Sequence, residues 1–444
     1  MAKKWRIPLT GTWALFLLIT PALAAAPPQT AGAVTGKYVG PGGCAASSCH
    51  GSVQPKTVTR IFQNEYSIWI AQDKHARAFS VLSNPVSLRI GRILNIGRPD
   101  QAAKCLVCHS LYVPTEQRAQ IFELDDGVSC ESCHGPASGW LGPHTQRDWP
   151  HEKSVALGMY DTRNLSRRTE KCLTCHLGTP EKFVDHEMIA AGHPDLTFEL
   201  DLFSSVMPRH WKMPESYETG AWRQVQAWAV GEAVQLRESL NRVSRRAKDA
   251  WPEYAELDCF ACHHSLTMPL DSWRQERGYA GRRPGNPPWN QSREVMFRAL
   301  VEEIAPGTAK QFNDEINRLA GLMNQLNGNR EEIGASADRA AALADQLAKQ
   351  VEGQNYDAAL TLRLLRRVAG DGAAITNEDE RAAEQAAMTL DSLFTVYNQN
   401  VKPANSAEVR AAIDGLFQQL QNPSAYSAPQ FAAQMQRVSA LLGR

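Results

Sequence analysis

The C-terminal third of the chain repeats apolar residues every three or four positions. Phe312, Ile316, Leu319, Met323 and Leu326 form one series. Val409, Ile413, Leu416 and Leu420 form another, and Phe431, Met435, Val438 and Leu442 a third. Each series lays one apolar stripe along an amphipathic helix. Ser427-Ala-Pro-Gln430 reads as a capping box with proline in the first turn. Breaks at Asn327-Gly328-Asn329, Gly370-Asp-Gly372, Lys402-Pro403 and Asn422-Pro423 divide this part into about five or six helices, enough for a bundle. Before residue 290 the pattern is weaker. Helices are predicted over about 60–82 and about 221–248, the second with Trp222, Val225, Ala229, Ala233, Leu236 and Leu240 on one face. The remainder reads as long loops carrying short helices, as expected if something other than side chains fills the core.

Composition sharpens the division. All 10 cysteines, 12 histidines and 11 tryptophans of the 444 residues precede residue 290. Residues 265–290 are rich in Pro, Gly and Arg and read as an irregular connection, so a domain boundary is expected there. The chain opens with a basic segment (Lys3, Lys4, Arg6), a short apolar run from Trp13 to Ile19, and small residues around Ala24. This is the pattern of a cleaved signal peptide, expected over 1–24. Its removal leaves 44 basic against 47 acidic residues, a slightly acidic exported protein. Near-neutrality argues against a nucleic-acid binder. No run of about 18 apolar residues points to a transmembrane span.

The cysteines carry the chemistry. They read Cys44-Ala-Ala-Ser-Ser-Cys49-His50, Cys105-Leu-Val-Cys108-His109, Cys130-Glu-Ser-Cys133-His134, Cys172-Leu-Thr-Cys175-His176 and Cys259-Phe-Ala-Cys262-His263. Four are C-x-x-C-H, the attachment signature of a c-type haem, and the first has a longer spacing of the same kind. Two thiols form thioethers with the vinyl groups of one porphyrin, and the next histidine lies beneath the iron. Zinc sites and disulfides also use paired cysteines. Neither demands a histidine after every second cysteine, and five such coincidences have a chance probability of roughly one in 10⁸. Five covalently attached haem c groups are therefore expected, leaving no cysteine free.

Seven further histidines remain as second axial ligands: His75, His144, His151, His186, His193, His210 and His264. So large a reserve points to mostly bis-histidine irons, which suit electron transfer and low potentials. His75 lies on the first expected helix. His144 follows the third motif on a Gly- and Pro-rich loop. His193 sits in Gly192-His193-Pro194 at a helix end, with His186 two turns earlier and on the same expected face. His210 stands before Trp211. His186, His193 and His210 compete for two or three irons. His264 directly follows a proximal ligand, and His151 has little context; neither is expected to ligate.

Over roughly residues 40–180 the chain resembles the multihaem cytochrome c-554 family, tetrahaem electron carriers linked to hydroxylamine oxidation. The likeness rests on four motifs in order, on Trp69 followed by His75-Ala-Arg-Ala, and on Gly127-Val-Ser-Cys-Glu-Ser-Cys-His-Gly-Pro136 with His144 after it. The resemblance implies closely stacked haem pairs. It implies that His144 is the distal ligand of the haem at His50 and that His75 serves the haem at His134. It also implies that the haem at His109 is five-coordinate. The longer first motif, the fifth haem, the Gly192-His193-Pro194 and His210-Trp211 segments and the C-terminal helices depart from the family.

The expected fold class is mainly α: a loop-rich multihaem cytochrome c domain (25–289) followed by a helical-bundle domain (290–444). The expected function is electron transfer between periplasmic redox proteins, a donor and an acceptor, with the C-terminal helices available to dock a partner. The alternative is an oxidoreductase acting on a small nitrogen or sulfur compound at an open iron on His109.

Overall fold

Twenty-seven residues from Arg223 to Asp249 form the axis of the molecule. From Ala227 to Leu236 this helix is buried all round, so neighbours cover every face rather than one stripe. Its most extensive partner is the helix Arg330–Gly353, which presents Ala337, Ala340, Ala341, Ala344 and Ala348 to the core. Small side chains let two helix axes approach closely. On another face the short helix Leu200–Val206 comes so near that a Cβ on Gly231 would lie 2.7 Å from Cβ of Leu200. Glycine is therefore tolerated in mid-helix here because nothing larger fits.

A computed structural model describes residues 36–212, 222–249, 251–259, 263, 288–325, 327–378, 380–422 and 425–443. The expected signal peptide, Cys262 and His264 lie outside the described residues. Among those described there is no strand, only isolated bridges between Tyr38 and Arg118 and between Leu257 and Trp289. The fold is mainly α and loop-rich, as the pattern predicts. No described helix is long and apolar enough to cross a membrane.

After residue 290 the described helices are Ser292–Ile304, Pro306–Met323, Arg330–Gly353, Ala358–Gly370, Gly372–Glu378, Glu380–Val401, Ser406–Gln419 and Ala428–Leu442. They outnumber the five or six expected because Pro306 starts a new helix straight after Ile304, and Gly370-Asp-Gly372 splits off one short turn. The last helix begins at the expected place with proline in its first turn, but the Ser427 side chain makes no capping bond. One apolar core runs from Leu165 and Leu173 through the axial helix to Leu442. The change of composition near 290 thus marks where Cys, His and Trp stop, while packing continues across it.

The N-terminal part holds its shape differently. Its own apolar clusters are small, such as Val39 with Ala137 and Trp140, or Leu82 with Cys105 and Leu106. The helix expected over 60–82 is broken into Glu65–Gln72 and two 3-10 turns, Lys74–Arg77 and Ser80–Ser83. Asp73 makes the break: its backbone is extended and its carboxylate accepts the amide of His75 at 3.0 Å. Local side-chain bonding of this sort competes with helix.

Candidate haem-ligand site

Three C-x-x-C-H motifs end short helices: Ala103–His109, Cys130–His134 and Leu165–His176. On a helix the first cysteine and the histidine four residues later share one face, with the second cysteine beside them. This is the arrangement that two thioethers and one axial bond require. In the fifth motif the amide of His263 donates to the Cys259 carbonyl at 2.8 Å, the same helical step. The longer first motif reaches the same end by a turn, with the His50 amide on the Cys44 carbonyl at 3.2 Å. Behind it, a Cβ on Gly51 would fall 1.8 Å from the Ala45 carbonyl oxygen, so the turn needs glycine.

Four of the motif histidines face a second histidine ring. The rings of His50 and His144 lie 6.2 Å apart, centre to centre, tilted by 6°. Those of His75 and His176 lie 6.2 Å apart at 89°. His109 and His193 lie 6.3 Å apart at 86°, and His186 and His263 lie 6.1 Å apart at 33°. Two imidazoles on opposite sides of one metal, each with a metal–nitrogen bond of about 2.0 Å and about 1.1 Å from nitrogen to ring centre, would be separated by about 6.2 Å. All four distances match, while the tilts vary freely. A shared metal fixes the distance and leaves rotation about the axis open.

Hydrogen bonds select the ring nitrogen. Nδ1 of His50 is bonded to Glu65 Oε2 at 2.9 Å, and Nδ1 of His75 to Asp73 Oδ1 at 3.0 Å. Nδ1 donates to a backbone carbonyl in His109 (Ala78, 2.9 Å), His144 (Trp140, 3.1 Å), His193 (Pro194, 2.8 Å) and His210 (Pro208, 3.2 Å). Tying Nδ1 leaves Nε2 as the lone-pair donor, the usual device around ligating histidines. His151 is reversed: its Nε2 is bonded to Asp161 at 3.0 Å, which fits the expectation that it is not a ligand.

Electrostatics agree. Glu65 beside His50 and Asp73 beside His75 raise the pKa of each ring against the opposing effect of burial. His134 and His176 are instead pushed down to about 4, chiefly by burial. Both keep some accessible surface. At neutral pH both rings are uncharged. After burial, the charge of His210 is the leading influence on His134.

Two pairings differ from those the resemblance implied. The ring across from His75 is that of His176, not His134, because Asp73 holds Nδ1 and turns the opposite edge of the imidazole toward the fourth motif. His109 does not stand alone. The helix His186–Ala191 ends on Gly192 in the left-handed region (φ 112°), and the His193 amide bonds back to Met188, which aims the ring at His109. His186 and His193 do not share a face; the early stop sends them to different partners. The ring of His144 faces that of His50.

The motifs also touch one another. Side chains of Cys44 and Cys130 meet, as do those of Cys108 and Cys175. Cys133 lies within electrostatic reach of Cys172 and Cys175. His186 and His193 link the second and fifth motifs through one short helix. The motifs therefore follow one another in space as first, third, fourth, second and fifth.

Three supporting groups went unmarked in the sequence. Glu65 and Asp73 orient the rings of His50 and His75; the two-residue step from Asp73 to His75 was a readable signal, whereas nothing marked Glu65. Glu131, inside the third motif, is buried and accepts the amides of Val39, Gly40 and Ala137 at 3.0, 2.7 and 2.6 Å. It ties the N-terminal segment to that motif, and burial raises its pKa despite these bonds.

Residues 44–135 match the model of the family described as cytochrome c554 and c-prime. Over that segment the chain is a c-type cytochrome resembling the family, a class of haem c proteins engaged in electron transfer. No curated protein and no solved structure matches the chain.

Proposed function

From a chain whose first three motifs resemble cytochrome c554, we propose an exported pentahaem c-type cytochrome that passes electrons between periplasmic redox proteins. The four facing histidine pairs at 6.1–6.3 Å carry this reading. Bound haem c would supply a one-electron iron couple. Cys44 and Cys49, Cys105 and Cys108, Cys130 and Cys133, Cys172 and Cys175, and Cys259 and Cys262 would tether the five groups. His50, His109, His134, His176 and His263 would ligate from the motif side. His144, His193, His75 and His186 would ligate opposite His50, His109, His176 and His263, leaving His210 for His134. Imidazoles on both sides exclude a substrate, so the ring of His193 weighs against a reactive iron at His109. The contiguous order of attachment sites favours a wire through the fold, entered at the first motif and left at the fifth, or the reverse.

Residues 25–289 would form the haem-bearing part and 290–444 a helical part that buttresses it and offers a face to a partner. Export, with 1–24 removed, places haem attachment outside the cytoplasm, where thioether formation takes place.

Intact-mass analysis of protein matured with a haem-attachment system tests the count. Five haem masses on a chain starting near residue 25 are expected. Four masses with Cys44 and Cys49 still free thiols would remove the first motif from the proposal.

A further inference from the structure

Where the axial helix meets the helix Ser292–Ile304, three guanidinium groups converge on a small cavity: Arg242, Arg293 and Arg381 line it together with Asp195 and Glu256. Two are balanced. Arg242 pairs with Glu256 at 2.7 Å and Arg381 with Asp195 at 2.8 Å. Among the described residues Arg293 has no carboxylate within ion-pair distance. Its Nη2 donates to the Leu196 carbonyl, and its buried Nη1 has no hydrogen-bond partner among the described residues. Burial first, then Arg242, hold its pKa down to about 10, so it still carries its charge at neutral pH. The cavity thus contains three positive and two negative side chains. The first turn of Ser292–Ile304 lies at the same place, and helix N-termini favour anions. A buried charge left unpaired is costly, and a guanidinium fork matches carboxylates and oxyanions. Glu232 is a further acid within electrostatic reach of Arg293. It is fully buried, its pKa is raised well above the ordinary range by that burial and by Glu199, and its Oε2 is itself unpartnered.

We propose that this cavity is an anion site, in which Arg293, flanked by Arg242 and Arg381, holds one carboxylate or small oxyanion. Two sources supply that chemistry: a propionate of one of the attached haems, or a free anion from solution. The lining supports either, because Leu177 follows the ligand His176, and Asp195 and Leu196 follow His193. The propionate source rests on the haem assignment above; the free-anion source does not.

The test uses full-length holoprotein exchanged into a zwitterionic buffer and titrated calorimetrically with sodium formate and sodium nitrate, with haem reduction potentials measured on the same samples. Saturable uptake of one anion per chain, weakened at least about ten-fold in Arg293→Gln, identifies a free anion. No uptake by the wild type, together with a lower potential of one haem in Arg293→Gln and a smaller shift in Arg293→Lys, identifies a propionate. Arg293→Lys keeps the charge and loses the fork, and it serves alone if Arg293→Gln does not fold. The absence of both uptake and a shifted potential overturns the proposal. So does anion uptake by Glu232→Gln that the wild type lacks, since Glu232 would then be the counter-ion. Visible absorbance reports haem content throughout, so a wrong haem count is distinguishable from a missing anion site.

Discussion

A histidine that ligates iron gives up one ring nitrogen, and the other decides how it is held. Six of the histidines here bond through Nδ1, and His151 bonds through Nε2. The partner also matters. A carboxylate on Nδ1 makes the imidazole more basic than a carbonyl does and stabilises the ferric state. Glu65→Gln removes that charge from His50. The expected outcome is a rise of roughly 40 mV, about 1 kcal/mol, in one haem potential only. An unchanged redox titration would count against Glu65 as a tuning group. His193→Ala should convert one ferric haem in the set to high spin and open it to cyanide or nitric oxide, because the ring facing His109 is removed. His151→Ala should leave spin state and ligand binding as in the wild type, since its Nε2 is engaged by Asp161.

At the scale of elements, close helix contacts and abrupt helix stops position these side chains. Gly231 lets Leu200–Val206 lie against the axial helix, and Phe198 and Phe203 at that contact pack on His176 at 5.4 and 5.2 Å between ring centres. Gly231→Val should cost about 1–3 kcal/mol by overpacking, read as a lower thermal midpoint. A midpoint equal to the wild type would mean that the two helices have room to part. The amphipathic helices were legible because their stripes are local: the helix expected over 221–248 is observed at Arg223–Asp249. The helical ends of three motifs, Ala103–His109, Cys130–His134 and Leu165–His176, follow from local sequence too. The stop at Gly192 was legible as a helix end, but the break at Asp73 was not, because a side-chain bond to the next turn overrides a good helical pattern. The pairing of distal histidines depends on those breaks, so His75 and His193 meet partners that spacing and resemblance did not indicate. Continuity of the core across residue 290 was hidden too. Composition records where Cys, His and Trp stop, not where packing stops.

For the molecule as a whole, a buried acidic pair joins the two parts of the chain. Ser392 Oγ lies 3.0 Å from Glu199 and 2.8 Å from Asp201. A hydroxyl has one hydrogen to give, so one of the two carboxyls carries the other. Burial raises Asp201 to about 6 and Glu199 to about 8. Both values exceed the unfolded carboxylate range, so the stability this pair contributes is full below about pH 4 and is lost as pH rises through the two folded values. Thermal midpoints should fall from pH 5 to pH 9. Asp201→Asn, whose amide donates permanently to Ser392, should flatten that fall, and a parallel curve would contradict the shared proton. The central claim concerns the irons. Electron paramagnetic resonance of the fully oxidised holoprotein, integrated against total haem, tests it most directly. Imidazoles on both sides of every iron require all five ferric haems to be low-spin. A high-spin signal near one-fifth of the total, sensitive to added nitric oxide, would contradict it.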